Sequence, residues 1–124
     1  MKIKNFEDID AWKQARNLTN KIYDLTSDGD FSRDYGLRDQ IQRSSVSIMA
    51  NIAEGFDSSS NQSFLNFLGY ALRSASEVQS HLYVALDQDY ISQEDFDILY
   101  DELEEVKNLI SGFRRYLKKS DRQS

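Results

Sequence analysis

The sequence predicts an all-α protein: an up-down-up-down antiparallel four-helix bundle that forms a single domain over residues 1–124. Apolar residues recur at steps of three and four in four separate segments, which is the spacing that places them on one face of an α-helix. The breaks between these segments are short, and short breaks join antiparallel neighbours. Proline is absent from the chain, as expected for long uninterrupted helices.

The first two predicted helices flank a segment rich in turn-forming residues. The first helix covers about residues 6–26, and residues 27–35 are predicted to form a loop. The second helix covers about residues 36–54, and its many serine and alanine residues favour a close approach by a neighbouring helix. Gly55 is predicted to end this helix in a left-handed conformation, which carries no steric penalty for a residue without Cβ.

The last two predicted helices begin after residues that are typical helix caps. The third helix covers about residues 62–88, and Ser60 or Asn61 can cap its first turn. The fourth helix covers about residues 93–118 and carries the most regular apolar repeat in the chain. Ser92 opens a short sequence that resembles a capping box in front of this helix.

A polar stripe runs along the second predicted helix at steps of three and four. Small hydrogen-bonding side chains of this kind suit a close helix–helix contact or a polar interface between subunits. A partly exposed face of modest polarity explains the stripe equally well. The stripe consists of Gln40, Ser44, Ser47, Asn51 and Glu54.

The composition argues against most enzyme classes. The chain has no cysteine and one histidine, His81, so disulfides, thiolate nucleophiles and a multi-histidine metal centre within one chain are excluded. No nucleophile stands at a recognisable spacing from a general base. We therefore predict a non-enzymatic protein without catalytic residues, cofactor or metal. No segment resembles a signal peptide or a membrane span, so we expect a cytoplasmic protein with no membrane partner.

Charge is distributed unevenly along a chain whose formal net charge is −6. Residues 87–110 contain one basic and nine acidic side chains, whereas residues 111–124 contain five basic and one acidic. Acids near the start of a helix and bases near its end complement the helix dipole. Alternatively, the basic end forms a patch that meets a phosphate backbone. The candidate nucleic-acid-binding residues are Lys13, Arg16, Lys21, Arg38, Arg43, Arg114, Arg115, Lys118 and Lys119.

The run QIQRSSVSIMANIAEGF at residues 40–56 resembles the signature of the bacterial four-helix-bundle proteins encoded in 23S rRNA intervening sequences, often labelled the S23 ribosomal protein family. Residues 6–26 are similar to the family's opening helix, and residues 63–92 to its third helix and the following turn. Two positions depart from the family pattern: Met49 replaces a frequent proline, and Arg73 stands where a Gly-Ser pair often begins. The matching signature positions, interpreted as structural or interfacial, are Gln40, Arg43, Asn51, Glu54, Gly55 and Glu77.

The resemblance implies a four-helix-bundle subunit that assembles into a homopentameric ring. The family's relatives include accessory variability determinants of diversity-generating retroelements, which bind nucleic acid and a reverse transcriptase. We therefore expect a non-enzymatic oligomer that binds RNA or a ribonucleoprotein through clustered arginine and lysine. Five copies at −6 each would carry about −30, so only a segregated basic surface could attract phosphate. The alternative is a protein-interaction scaffold, such as a reverse-transcriptase accessory protein, in which tyrosines and the polar stripe make contacts.

Overall fold

The computed structural model describes residues 3–120, and within this range the chain is helical without any β-strand. A 3-10 turn at Phe6–Asp8 precedes the α-helices. The helices are α1 (Asp10–Leu25), α2 (Gly29–Arg33), α3 (Tyr35–Phe56), α4 (Asn61–Asp87) and α5 (Gln93–Lys119). The predicted all-α bundle is confirmed. No helix in residues 3–120 is both long enough and apolar enough to cross a membrane.

The four long helices pack side by side, each against two neighbours: α1 and α4 both contact α3 and α5. Two polar contacts between α1 and α5 show that the helices run in opposite directions. Gln14 donates a hydrogen bond to Glu105 at 2.9 Å, whereas the later Lys21 pairs with the earlier Glu102. α1 and α5 are therefore antiparallel. Contacts of Gly55 with Phe64 and of Gly69 with Arg114 show the same arrangement for α3 with α4 and for α4 with α5. We call the end where α1 and α4 begin end A, and the opposite end, which contains α2, end B.

The core is a single apolar cluster to which every long helix contributes. Ile22, Ile48, Leu68 and Leu103, one from each long helix, are fully buried. They belong to the apolar stripes that repeat at steps of three and four in the sequence. Burial of these stripes supplies the main favourable free energy of folding.

The polar stripe of α3 turns towards α4, which is the helix that α3 contacts most extensively. Ser44 is buried, and the hydroxyl of Ser74 on α4 donates a hydrogen bond to Ser47 at 2.9 Å. Asn51 donates to the carbonyl oxygen of Ser47 at 2.9 Å. The stripe therefore serves a close contact between two helices of the same chain, while its outer members, such as Gln40, stay exposed.

Gly55 lies inside α3, and the prediction that it ends the helix in a left-handed conformation is wrong. The helix continues to Phe56. A Cβ atom at Gly55 would lie 2.7 Å from Cδ1 of Phe64 and 2.9 Å from Cβ of Phe67, both on α4. Glycine is needed here because α4 crosses too closely for any side chain.

The first predicted helix differs from the structure at its start. The carboxylate of Asp8 accepts the backbone N–H groups of Lys4 and Asn5, each at 3.1 Å, and these bonds favour a 3-10 turn. Ile9 is then extended (φ −78°, ψ 122°) and buried, so α1 begins only at Asp10. The bounds of α3, α4 and α5 differ from the expected ones by one or two residues.

The segment predicted as a loop between the first two long helices contains α2. Phe31 on this short helix is buried and stacks on Tyr90, with ring centroids 5.2 Å apart. The next residue after α2, Asp34, caps α3 by accepting the N–H of Leu37 at 3.1 Å. The hydroxyl of Tyr90 donates to the other oxygen of Asp34 at 3.0 Å, so this carboxylate ties two connections together at end B.

Side-chain caps start the last two long helices. Ser60 accepts the N–H of Ser63 at 3.1 Å, and Ser92 accepts the N–H of Asp95 at 3.0 Å. The first bond shows that Ser60, and not Asn61, caps α4. The second bond is one of the two that a capping box contains, and α5 starts at Gln93 as predicted.

Candidate nucleic-acid interface

The charge segregation of the sequence becomes a separation in space along α5. Residues 93–105 contain seven acidic and no basic side chains, and residues 106–119 contain five basic and no acidic ones. Because α5 runs from end B to end A, its acidic half lies beside the ends of α1 and α4, and its basic half lies beside their starts. The distribution complements the helix dipole. Which face of α5 carries the basic side chains decides whether they also form a surface.

One basic stripe of α5 faces α4. The positions 107, 111, 114 and 118 follow each other at steps of four, three and four, so they share a helix face. Lys107 donates a hydrogen bond to Gln79 of α4 at 3.1 Å. Further towards end A, the guanidinium of Arg114 lies against Gly69 of α4, where a Cβ atom would be 3.9 Å from its Nη2. Lys118, one turn beyond Arg114, is exposed on the same face.

A stripe of α4 lies opposite this face and carries no carboxylate. It is centred on Gly69, and its members follow each other at steps of three and four. They are Gln62, Asn66, Gly69, Arg73, Ser76 and Ser80. All except the half-buried Gly69 are exposed. We call the surface between the two stripes the α4–α5 groove; the basic residues of α5 that face it are Lys107, Arg114 and Lys118.

A carboxylate stands at the end of the groove nearest end B. Glu104 accepts a hydrogen bond from Gln79 at 2.8 Å, and its Oε2 is 3.6 Å from the ammonium of Lys107. The hydrogen bond from Gln79, with help from Lys107, lowers the pKa of Glu104 below its ordinary value. This cluster of three side chains neutralises the charge of Lys107, so the free positive charge of the groove lies closer to end A.

One donor atom of the Arg114 side chain lacks a hydrogen-bond partner in residues 3–120. This side chain is half-buried, and its Nε is shielded from solvent without a hydrogen-bond acceptor in the described part of the chain. A buried donor without a partner costs about 1–3 kcal/mol, and more when it carries charge.

The side chain of Arg73 lies over an aromatic ring of its own helix. The guanidinium of Arg73 lies 5.3 Å from the centroid of the Tyr70 ring, which is 44% exposed. Phe67 contacts the Tyr70 ring edge-on, with centroids 5.9 Å apart and an interplanar angle of 84°. The Tyr70 ring is thus supported by its own helix while part of it remains open to solvent.

The structure brings together four of the candidate residues, all within the last two turns of α5. Arg114 and Lys118 face α4, while Arg115 and Lys119 are exposed beside them. Within residues 3–120, no carboxylate lies within ion-pair distance of these four side chains. This cluster is the basic patch that the charge distribution predicts.

The candidates on α1 do not join that cluster. Lys13 and Arg16 are exposed, and the side of α1 that faces α5 presents Gln14 and Lys21 instead. Lys21 pairs with Glu102, and Glu105 accepts a hydrogen bond from Gln14, so the contact between α1 and α5 is acidic. This contact separates Lys13 and Arg16 from the α4–α5 groove.

The candidates on α3 also lie apart, because α3 is not a neighbour of α5. Arg38 donates to the carbonyl oxygen of Ser32 at 3.0 Å and pairs with Asp39. Its guanidinium also covers the ring of Tyr35 at 4.8 Å. These contacts hold the junction of α2 and α3. Arg43 is exposed on the outer side of α3.

The six signature positions have different surroundings. Gly55 allows the contact between α3 and α4, and Asn51 donates a hydrogen bond to Ser47 within α3. Gln40, Arg43 and Glu54 are exposed. Glu77 lies 3.8 Å from Nε2 of His81, whose side chain is only 15% exposed. None of the six lies on the stripes that form the α4–α5 groove.

No arrangement suited to metal-dependent catalysis occurs in residues 3–120, where no group of three or more His, Asp or Glu side chains is close enough to hold a metal ion. A cavity of about 370 Å³ at end A lies between the amino-terminal segment and α5. Its lining is mostly apolar, with Ile3, Ile9, Leu109 and Phe113 among the residues, and Asp10 is the one carboxylate among them. The lining of this cavity offers no pair of acid and base for proton transfer.

These features define an antiparallel helical bundle with a basic surface at one end. The family model described as 23S rRNA-intervening sequence protein matches residues 7–112, and the chain belongs to this family.

A solved structure has the same fold: the crystal structure of a protein with unknown function from the S23 ribosomal protein family from Bacteroides thetaiotaomicron VPI-5482. The two chains are 24% identical, and the alignment covers 85% of this chain and 95% of the other, with a TM-score of 0.78. At this identity the likeness shows the fold alone. No curated protein matches the chain in sequence.

Proposed function

We propose that this protein is a non-enzymatic, oligomeric helical bundle of the cytoplasm that binds RNA or a ribonucleoprotein through clustered arginine and lysine. The observation that carries this proposal is the basic end of α5, where Arg114, Arg115, Lys118 and Lys119 lie within two helical turns at end A. An unopposed cluster of this kind attracts phosphate groups. The family name, which refers to a 23S rRNA sequence, agrees with an RNA partner.

The acidic half of α5 does not cancel this attraction. A helix of 27 residues is about 40 Å long, so the centres of its two halves are about 20 Å apart. The Debye length at physiological ionic strength is about 8 Å. A phosphate at end A is therefore more than two Debye lengths from the centre of the acidic half, and it experiences mainly the basic side chains.

Filter binding of RNA across a salt series tests the proposal. The double variant Lys118→Glu/Lys119→Glu reverses two charges in the cluster, and Lys13→Glu/Arg16→Glu reverses two exposed charges on α1 as a matched control. We expect the α5 variant to lose most of the affinity and the α1 variant to lose little. Equal losses would mean that net charge alone controls binding, and absence of binding by the wild type at low salt would refute the proposal.

The oligomeric part of the proposal has its own measurement. Sedimentation equilibrium should give a mass that is a multiple of the 14.4 kDa chain, and a homopentamer gives five times that value. A monomer at micromolar concentration would remove the means by which several weak basic clusters act together on one RNA.

A second candidate function, a protein-interaction scaffold such as a reverse-transcriptase accessory protein, is favoured by the exposed tyrosines. Tyrosine is enriched at interfaces because it combines an apolar ring with a polar tip. The most exposed examples are Tyr35 and Tyr116, at 65% and 57%. A neighbouring gene for a reverse transcriptase with template and variable repeats would support the scaffold, whereas a position inside an rRNA gene would support the RNA partner.

A further inference from the structure

We propose that the outer face of α3 binds the outer face of α5 on a second copy of this chain, with Arg43 opposite Asp101 and Glu54 opposite Arg115. This inference rests on the oligomeric part of the proposed function and adds to it the two surfaces that meet and their orientation. The two faces belong to helices that lie diagonally across the bundle, because α1 and α4 each contact both α3 and α5. One copy can therefore use both faces at once.

The outer face of α3 consists of exposed positions that follow each other at steps of three and four. They are Arg43, Val46, Ala50 and Glu54. The two charged side chains form no ion pair within residues 3–120. Since they are eleven residues, or about three turns, apart, they stand on one line about 16 Å from each other. The face is thus positive towards end B and negative towards end A.

The outer face of α5 has the reverse order of charge. Asp101, Asn108 and Gly112 follow each other at steps of seven and four, so they share one side of the helix. A Cβ atom at Gly112 would lie 3.6 Å from Nη2 of Arg115, so this guanidinium reaches the same side. Asp101 and Arg115 are exposed, and neither forms an ion pair in the described part of the chain. The negative and positive charges are again about 16 Å apart along the helix.

Two contacts of α1 show that the charges nearer end B lie at one height along the bundle. Thr19 donates a hydrogen bond to the carbonyl oxygen of Ser45 on α3 at 3.2 Å. Lys21, two residues further along α1, pairs with Glu102 on α5. Arg43 is two residues before Ser45, and its proposed partner is next to Glu102. The two positions therefore agree in height to within about one helical turn.

Two contacts of α4 give the same result nearer end A. A Cβ atom at Gly55 would lie 2.9 Å from Cβ of Phe67, and Gly69, two residues further along α4, lies against the guanidinium of Arg114. Glu54 is next to Gly55, and its proposed partner is next to Arg114. Copies that are related by rotation about an axis parallel to the bundle keep their heights. In such copies, α3 and the neighbouring α5 meet with both pairs of opposite charge in register.

Small side chains between the charges allow the two helices to approach closely. Ala50 is exposed on α3, and Gly112 on α5 has no side chain, so neither holds the helix axes apart. Val46, which is 40% exposed, supplies apolar contact on the same face. Exposed ion pairs add little affinity, but they select the orientation, because a copy turned end to end would place like charges opposite each other.

The contact joins two different faces and is therefore heterologous. Contacts of this kind repeat from copy to copy until a ring closes, or continue as a filament where the rotation does not close. A ring is the form that the family resemblance implies. Arg114 and Lys118 face α4 and take no part in the contact, so basic side chains at end A stay accessible to RNA in the assembly.

Sedimentation equilibrium of charge-reversal variants tests the inference. Glu54→Arg and Arg115→Glu each place like charges opposite each other, and we expect each to weaken association about 10-fold. The double variant Glu54→Arg/Arg115→Glu reverses the whole pair and should restore the wild-type mass. Glu54→Arg makes the chain less negative, so overall repulsion between copies cannot explain its loss of association. Lys13→Glu makes the same charge change as Arg115→Glu on an exposed position of α1 and should leave the mass unchanged.

The pair nearer end B gives an independent repeat of this test. Arg43→Glu and Asp101→Arg should each weaken association, and the double variant Arg43→Glu/Asp101→Arg should restore it. All four side chains that are reversed in the two pairs are exposed, so the fold should tolerate the variants, and circular dichroism of each variant checks this.

The outcomes separate this inference from the proposed function. Single variants that keep the mass of an oligomeric wild type, or double variants that fail to restore it, would overturn the contact and leave oligomerisation intact. Restoration by Arg43→Glu/Glu54→Arg instead would show that two α3 helices meet in an antiparallel dimer, which also overturns the inference. A monomeric wild type would remove the inference together with the oligomeric part of the proposed function. Failure of the wild-type oligomer to bind RNA would count against the proposed function alone.

Discussion

Replacement of Gly55 by alanine tests the close approach of α3 and α4. The added Cβ would stand 2.7 Å from Cδ1 of Phe64 and 2.9 Å from Cβ of Phe67, both shorter than any normal carbon–carbon contact. The Phe64 ring can rotate, but Cβ of Phe67 is fixed to the backbone of α4, so the two helices must separate. Overpacking of this kind costs about 1–3 kcal/mol. Alanine returns at most about 1 kcal/mol of helix propensity, which leaves a net loss of about 0–2 kcal/mol. The fixed position of the Phe67 Cβ favours the upper end of this range.

Gly69→Ala is the matched control, because Gly69 is also a glycine inside a long helix. Its added Cβ would meet only the flexible guanidinium of Arg114, at 3.9 Å, which is an ordinary contact distance. The gain in helix propensity is then unopposed, and we expect a stabilisation of about 0.5–1 kcal/mol. The two substitutions make the same chemical change and should have opposite signs.

Urea and thermal unfolding, each followed by circular dichroism, measure both variants at one protein concentration, because association shifts apparent stability. For a domain of this size, 1 kcal/mol corresponds to about 3–5 °C in Tm. The Gly55→Ala variant should therefore melt several degrees below the wild type and Gly69→Ala a few degrees above it. A Gly55→Ala protein as stable as the wild type would refute the account of the α3–α4 contact.

Three further predictions concern the connections. Asp89 has a positive φ of 62° after α4, so Asp89→Gly should raise the urea midpoint by the equivalent of about 1 kcal/mol. Ser92→Ala removes the hydrogen bond that caps α5 at the N–H of Asp95 and should lower stability by about 1 kcal/mol in the same assay. The hydrogen bond to Asp34 raises the pKa of Tyr90 above 10.0, which favours the protonated phenol in the folded state. This contribution is present below pH 10 and is lost as the pH rises through the folded-state pKa. Urea unfolding at pH 8 and pH 11 should therefore show a larger loss for the wild type than for Tyr90→Phe, and equal losses would contradict the assignment.

The start points of the last two helices could be predicted because their signals are local. Ser60 and Ser92 each bind a backbone N–H three residues ahead, so the sequence beside each helix start contains the whole interaction. The apolar stripe of a long helix is equally visible, since it repeats over many turns. These features depend on neighbours in the chain and need no knowledge of tertiary contacts.

The short helix α2 and the role of Gly55 could not be predicted, because both depend on residues that are distant in sequence. A helix of five residues is too short to show an apolar repeat, and Phe31 is buried through its stacking on Tyr90 near the start of α5. Gly55 stands where a helix-ending glycine would stand, and only the position of Phe64 and Phe67 reveals the close crossing.

Some residues of the candidate site could be predicted from the sequence, and others could not. Residues 114–119 could be singled out because their charges are adjacent in sequence. Lys107 is isolated among neutral or acidic residues, so charge density along the chain gives no signal for it. It enters the site because the register of α4 against α5 places Gln79 beside Lys107, as it places Gly69 beside Arg114. That register is set by core packing and not by the surface residues themselves.

The charge separation along α5 also gives the molecule a permanent electric dipole moment. Seven negative charges in residues 93–105 and five positive charges in residues 106–119 form two poles about 20 Å apart. In the electric field of a polyanion the protein experiences a torque as well as a net repulsion. The torque turns the protein until end A faces the polyanion. Alignment before contact increases the fraction of collisions that are productive, even for a protein whose total charge has the wrong sign.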